Sequence, residues 1–159
     1  MKIDILCVGK IKEGFYRDAV AEYVKRLSKY AKLNIIEVKD EKTSEGASDH
    51  ENDLVKAAES ARLLQHIVPG AVLIPLCIEG RSFSSEGFAD LITSYENRGE
   101  SHLQFVIGGS IGLDDAIKDR ADLKLSFSEM TFPHQLMRVV LLEQIYRAYR
   151  IKNNEPYHK

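Results

Sequence analysis

Three short segments in the second half of the chain carry residue types that could do chemistry. The first is a glycine turn, Gly108-Gly109-Ser110-Ile111-Gly112, which follows an apolar stretch directly. Glycines let the backbone approach a ligand closely, and free N–H groups at the start of a following helix can face an anionic group such as a carboxylate. The turn matches neither the dinucleotide-binding order of glycines nor that of a P-loop. It is equally compatible with a tight strand-to-helix turn and with a ligand site.

The second segment, residues 126–134, places polar loop groups beside Phe127, Met130 and Phe132 directly after an apolar strand. Aromatic and thioether side chains next to polar groups suit an adenine ring and a sulfonium. Thr131 also fits the N-cap of a helix that begins with Pro133. The dipole of that helix disfavours a charged His134, which could act as a neutral group or be an ordinary surface histidine.

The third segment is the polar end of the chain, which closes with Tyr157, His158 and Lys159. Tyrosine can stack on a base, histidine can transfer a proton, and lysine can hold a phosphate. A frayed terminus without a role is the ordinary alternative. The other histidines, His50, His66 and His102, are predicted to be solvated.

Strands and helices alternate along the whole chain and must position these segments. Strands are predicted at residues 2–8, 33–38, 71–78, 103–107 and 123–127, with helices after each, the third beginning at Ser84 and ending at Gly99. This alternation predicts an α/β protein with a mostly parallel sheet and helices on both faces. Ligands of such sheets bind beyond the carboxyl ends of the strands, so the loops after Ile78, Ile107 and Phe127 are predicted to form a pocket.

The last predicted helix is more apolar than packing on one sheet face requires, since seven of the ten residues 136–145 are apolar. We interpret the excess as a homodimer interface, with deep burial inside one chain as the alternative. Arg138, Arg147 and Arg150 are predicted to mark its polar side, and Glu143 is placed to pair with Arg147 at i, i+4.

The composition is that of a soluble globular protein, with 159 residues, 44% hydrophobic and 29% charged, which predicts one domain over residues 1–159. No apolar run is long enough for a membrane span and Asp4 interrupts the first apolar stretch, so a cytoplasmic location is expected. A net charge of -2 means that any RNA binding must come from local clusters. Cys7 and Cys77 are predicted to be buried thiols, and no metal site is expected.

Four stretches together closely resemble the RlmH family of SPOUT methyltransferases: the start of the chain through Val8-Gly9-Lys10, residues 105–110, residues 125–138 and residues 156–159. The resemblance spans the whole chain. It implies a homodimer with a C-terminal trefoil knot, which sequence periodicity cannot reveal. It also implies S-adenosylmethionine-dependent methylation of N3 of a pseudouridine in 23S ribosomal RNA of the large subunit, and we expect the assembled ribosome to be the substrate.

The resemblance also assigns roles to individual residues. Catalytic roles fall on Tyr157, His158 and Lys159, with His158 as our choice for the base, while His134, Arg138 and Arg147 are candidates for RNA contact. Lys159 stands where some relatives have arginine, and a lysine cannot bind a phosphate in the bidentate manner of arginine. The alternative function is a dimeric ribosome- or RNA-binding module without catalytic activity. Contacts with the cofactor are expected at Leu76, Gly108, Phe127, Ser128, Glu129, Met130, Thr131 and Phe132.

Overall fold

The computed structural model describes residues 1–159 and consists of five strands and five helices. The strands are β1 (Lys2–Val8), β2 (Lys32–Val38), β3 (Val72–Ser82), β4 (His102–Ile107) and β5 (Leu125–Ser126). The helices are α1 (Gly14–Leu27), α2 (Asp49–Leu64), α3 (Ser85–Asn97), α4 (Asp115–Lys118) and α5 (His134–Lys152). No helix combines the length and the apolar character that crossing a membrane requires.

All strands pair in parallel in the order β2-β1-β4-β3-β5, which confirms the predicted α/β class. Successive side chains of a strand point to opposite faces, so Ile5 and Leu6 of β1 belong to different cores. The larger core packs α1, α3 and α5 on one face, and the smaller one packs α2 and α4 on the other. The prediction of helices on both faces is therefore confirmed. The trefoil knot stays a prediction.

Two helices begin and one ends where the sequence indicates. Ser48 and Ser84 accept hydrogen bonds from the backbone N–H groups of Glu51 and Gly87, as N-cap residues do. Gly99 follows α3 with a φ of +78°, a conformation that favours glycine. These local signals need no long-range contact to act, which is why they are readable from the sequence.

The start of α5 differs from the prediction that Thr131 caps it. The helix begins at His134, its N-cap position is Pro133, and no side chain caps it. A helix capped by Thr131 would need helical backbone at Phe132, which the ring of the following proline disfavours. Pro133 therefore keeps an extended backbone, and residues 127–132 form a loop before the helix.

Strand β3 is longer and less regular than predicted. It continues to Ser82, and its pairing with β5 breaks between Leu76 and Arg81. At Gly80 a Cβ atom would lie only 2.7 Å from the carbonyl carbon of Leu125, so the two backbones approach too closely for any side chain. This close approach of β3 and β5 lies directly before the loop that follows β5.

Helix α5 lies against both α1 and α3, and Leu141, Leu142 and Ile145 are completely buried there. The apolar residues of this helix are thus largely buried inside one chain, so the apolar character of the helix does not by itself indicate a dimer. Leu136 and Val140 remain half-buried on its outer side. The predicted pair of Glu143 and Arg147 is confirmed at 2.6 Å.

Arg138 is not on the polar side of α5, as predicted, but is buried with a side chain only 1% exposed. Its guanidinium donates to the carboxylate of Glu37 at 2.6 Å and to the carbonyl oxygen of Gly9 at 2.6 Å. A buried charge needs such partners, and β2 and the turn after β1 supply them. Arg138 has no surface from which to contact RNA, so that prediction is wrong.

The prediction that the side chain of His102 is solvated is also wrong. Its Nε2 lies 2.6 Å from Oδ2 of Asp4, and Gln104 donates to the same oxygen at 3.0 Å. Asp4 is buried in β1, where a carboxylate needs hydrogen-bond partners. The cluster lies at the amino end of the sheet, opposite the predicted pocket.

Candidate functional site

A cavity of about 810 Å³ opens beyond the carboxyl ends of β4 and β5, beside the middle of β3. Its walls come from β3, the turn after β4 and the loop after β5. Two of the three predicted loops therefore meet there, whereas the residues after Ile78 continue strand β3 instead of forming a loop. The lining residues are Leu76, Cys77, Ile78, Glu79, Ile107, Gly108, Gly109, Ser110, Ile111, Gly112, Leu113, Lys118, Leu125, Phe127, Ser128, Met130, Thr131, Phe132, Pro133, His134 and Met137.

The glycine turn folds back on itself at the cavity wall. Gly112 has a φ of +89°, and its N–H donates to the carbonyl oxygen of Gly109 at 3.1 Å. A Cβ atom at Gly108 would lie 2.8 Å from the carbonyl carbon of Gly112 and 3.0 Å from Cγ of Leu113. Only glycine fits at Gly108, so the turn offers bare backbone to whatever occupies the cavity.

The loop after β5 is braced by its own serines. Ser126 donates to the carbonyl oxygen of Ser128, and the hydroxyl of Ser128 accepts from the N–H of Met130 at 3.0 Å. Met130 is 74% exposed and Phe132 36% exposed at the mouth of the cavity. Five of the six loop residues predicted to contact the cofactor line the cavity; Glu129 is exposed and does not.

One lining residue, Cys77, differs from its sequence interpretation. Cys77, predicted to be buried, is half-buried and faces the cavity, and burial raises the pKa of its thiol. Cys7 is buried as predicted, and burial raises its pKa to about 12. Both thiols are therefore protonated near neutral pH.

His134 lines the cavity from the first turn of α5 and is half-buried, so it is not an ordinary surface histidine. Its Nδ1 atom is buried without a hydrogen-bond partner. Burial lowers the pKa of His134, and the charge of Arg138 lowers it further. The imidazole is therefore neutral near pH 7, as the helix position predicts.

The terminal residues pack on α5 rather than fraying. The hydroxyl of Tyr157 donates to Glu143 at 3.0 Å, and its ring meets that of Tyr146 edge-on at 5.0 Å. Burial and the bond to Glu143 raise the pKa of Tyr157 to about 12, so its phenol stays neutral. The guanidinium of Arg147 covers the same ring at 4.6 Å. This packing gives Tyr157 and His158 defined positions.

His158 has a partner at each ring nitrogen. Nδ1 lies 3.1 Å from Nη1 of Arg147, and Nε2 lies 2.8 Å from Oε1 of Glu86. Because a guanidinium can only donate, Nδ1 must accept and Nε2 carries the hydrogen that faces Glu86. Sequence reasoning missed Glu86, since nothing in its local pattern links it to a residue 72 positions away. Lys159 is exposed.

The predicted site residues thus form two separate groups within one chain. Leu76, Gly108, the loop residues and His134 meet at the cavity, whereas Tyr157, His158, Lys159 and Arg147 do not line it. Within one chain the terminal residues therefore lie outside the wall of the cavity.

A parallel α/β sheet with an apolar cavity and a glycine turn at its carboxyl edge is the arrangement in which open α/β proteins commonly bind small molecules. A family model described as predicted SPOUT methyltransferase matches residues 1–158. The chain belongs to the SPOUT methyltransferase family.

Relatives with high identity confirm the resemblance to the RlmH family. The chain is 58% identical over 159 residues to ribosomal RNA large subunit methyltransferase H of Bifidobacterium animalis subsp. lactis (strain AD011). It is 55% identical over 159 residues to the protein of the same name from Clostridium botulinum (strain Kyoto / Type A2). Each alignment covers 100% of both chains.

Solved structures of low identity share the fold. A probable methyltransferase from Bordetella pertussis Tohama I superposes with a TM-score of 0.58 at 11% identity, covering 92% of this chain and 95% of that one. A probable methylase family protein from Haemophilus influenzae Rd KW20 gives 0.54 at 13% identity, covering 99% of this chain and 70% of that one. Both support the α/β architecture.

Proposed function

We propose that the protein transfers a methyl group from S-adenosylmethionine to N3 of a pseudouridine in 23S ribosomal RNA of the large subunit. The observation that carries the proposal is the cavity at the carboxyl edge of the sheet, where the glycine turn and residues 127–132 face each other. Its volume of about 810 Å³ lies in the range of small-molecule sites. The relatives named ribosomal RNA large subunit methyltransferase H supply the substrate class. The alternative, an RNA-binding module without activity, is not favoured.

The cavity residues fit this donor. Leu76, Phe127 and Met130 offer the apolar and thioether surface that suits an adenine ring and a sulfonium. Gly108 presents backbone where a Cβ atom would collide with Gly112, leaving polar main-chain groups for the donor. When bound, S-adenosylmethionine supplies an electrophilic methyl carbon. The task of the cavity is to bind and orient it.

The terminal residues are assigned to the RNA. N3 of pseudouridine is a weakly acidic imide nitrogen, so the protein must align it in line with the methyl group and accept one proton. We assign the proton to Nδ1 of His158, because Nε2 faces Glu86. The guanidinium of Arg147 must move away from Nδ1 before Nδ1 can accept this proton. Tyr157 would stack on or orient the base, and Lys159 would hold a phosphate.

A homodimer would unite the two groups of residues. The terminal residues do not reach the cavity of their own chain, so we propose that those of a partner subunit complete the site. Exposed Met130 and Phe132 at the cavity mouth, together with half-buried Leu136 and Val140, offer apolar surface for such contact. With a net charge of -2, bulk attraction to phosphate is weak. We therefore propose the assembled ribosome, in the cytoplasm, as substrate.

Tritiated methyl transfer from S-adenosylmethionine to naked 23S RNA, large subunits and whole ribosomes tests these proposals. We expect the label on ribosomal particles, at N3 of one pseudouridine. Equal labelling of naked RNA would overturn the assembled substrate, and label on another atom would overturn the proposed chemistry. Calorimetry that detects no donor binding would leave only the RNA-binding module.

A further inference from the structure

A buried carboxylate beneath the glycine turn has no role in the chemistry described so far. Glu59 on α2 is 4% exposed, and its Oε2 accepts the N–H of Glu41 at 3.1 Å. Its other oxygen, Oε1, is buried without any hydrogen-bond partner. An unpaired oxygen on a buried carboxylate is unfavourable, because its lost hydration is not replaced by a hydrogen bond. Such a cost calls for a compensating function.

The carboxylate of Glu59 faces the turn directly. A Cβ atom at Gly109 would lie 3.0 Å from Oε1 and 3.2 Å from Oε2 of Glu59, and 3.2 Å from Cγ1 of Val8. The carbonyl oxygen of Gly109 accepts the N–H of Gly112, which closes the turn at the cavity wall. Glu59 thus lies behind the backbone that the cavity presents, although it does not line the cavity itself.

Glu59 also connects the turn to the loop after β2. Its bond to the N–H of Glu41 fixes that loop, which Arg62 reinforces by donating to the carbonyl oxygen of Lys39 at 2.9 Å and by pairing with the side chain of Glu41. At Gly9 the same loop, through Asp40, comes close to His134 of the cavity. One carboxylate is therefore bonded to the loop after β2 and lies against the glycine turn.

The hydrogen bond to Glu41 does not by itself require a charge at Glu59. Burial raises the pKa of Glu59; the N–H of Glu41 and the charge of Arg62 oppose this, the charge of Asp40 adds to it, and the net shift is upward. A glutamine would accept the same N–H without placing a charge in this environment, so the bond to Glu41 leaves the second carboxylate oxygen unexplained.

We propose that Glu59 is a positioning residue for the methyl donor: its free oxygen receives a backbone N–H of residues 109–110 when the turn closes on the donor. The inference rests on the proposed function. Donor binding then satisfies Oε1 and simultaneously tightens the loop held at Glu41. Loss of this acceptor weakens donor binding without touching the groups assigned to the RNA.

The test uses Glu59→Gln, which keeps the shape and can still accept from Glu41 but turns an N–H₂ donor toward the turn. Calorimetry is expected to show at least a tenfold rise in Kd for S-adenosylmethionine, with kcat at saturating donor unchanged. Leu63→Val is the matched control, since it removes one methylene in the same core away from the turn. Its Kd should stay within twofold of the wild type.

Hydrogen exchange measured with and without saturating donor supplies an independent reading. Donor should slow the exchange of the amides of residues 109–110 in the wild type and in Leu63→Val, but much less in Glu59→Gln, because the acceptor oxygen is gone. Gly109→Ala, which places a methyl group against the intact carboxylate, should raise Kd in the same way and covers the case in which Glu59→Gln does not fold. A wild-type Kd in either variant, or an equal rise in Leu63→Val, overturns the inference. If the wild-type protein itself binds no donor, the proposed function fails, whereas donor binding by the wild type with an unchanged Kd in Glu59→Gln overturns the inference alone.

Discussion

The guanidinium of Arg138 on α5 donates to the carboxylate of Glu37 on β2 at 2.6 Å, and it also reaches the carbonyl oxygen of Gly9. The pair joins the last helix to the edge of the sheet. Because His134 lies one turn earlier on the same helix, Arg138 fixes where α5 meets the cavity. Its role is to hold the site together, not to bind RNA.

Replacing Arg138 by Ala should reduce the free energy of unfolding by about 2–3 kcal/mol, because the carbonyl group of Gly9 loses its donor and the buried side chain leaves a cavity, while Glu37 can be solvated. Urea denaturation followed by circular dichroism measures this. Arg26→Ala is the control, since Arg26 forms an exposed pair with Glu22 and its loss should leave the free energy of unfolding nearly unchanged. Equal losses in the two variants would contradict a structural role for Arg138.

Gly108→Ala should raise the Kd for S-adenosylmethionine by at least tenfold and cost roughly 1–3 kcal/mol of stability, because its methyl group would overlap the backbone of Gly112. Calorimetry and urea denaturation measure the two effects. Gly14→Ala, in the first turn of α1 with only the end of Arg17 nearby, is the matched control and should leave both unchanged. Donor binding of wild-type strength in Gly108→Ala would remove the turn from the site.

The stability contributed by His134 should be lost as the pH falls. Burial and Arg138 lower its folded-state pKa below the ordinary value of 6.5, so the unfolded chain takes up this proton first. Between pH 7.5 and 5.5 the wild type should therefore lose more free energy of unfolding than His134→Gln, which has no proton to bind there. Urea denaturation at both pH values measures the difference. A larger loss in the variant would show that the sign is wrong.

Mixing two inactive variants tests whether the site is shared between subunits. Gly108→Ala impairs the cavity and His158→Ala removes the assigned base, so each alone should show little transfer to ribosomes. After subunit exchange at equal amounts, roughly a quarter of wild-type activity should return, because half of the dimers are mixed and each has one intact site. Donor binding by His158→Ala should equal that of the wild type. No recovery after verified exchange would mean that cavity and terminal residues act within one chain.

Much of the site was readable from local signals. The strand-helix alternation predicted the parallel sheet, and the rule that ligands bind at carboxyl strand ends selected the turn after β4 and the loop after β5, which meet at the cavity. Ser48, Ser84 and Gly99 mark helix ends through contacts of only a few residues. The roles of individual residues came from the family resemblance, because chemistry does not follow from a fold.

The sequence by itself determined the fold class, the family and the cavity walls, since periodicity, caps and motifs are encoded in neighbouring residues. Only the tertiary structure decided that Arg138 is buried, that His102 pairs with Asp4, and that Glu59 lies under Gly109. It also placed Tyr157 and His158 away from the cavity. Each of these depends on residues more than forty positions apart or on where the end of the chain packs. A charged residue looks the same in a sequence whether its partner in the fold is water or a buried carboxylate.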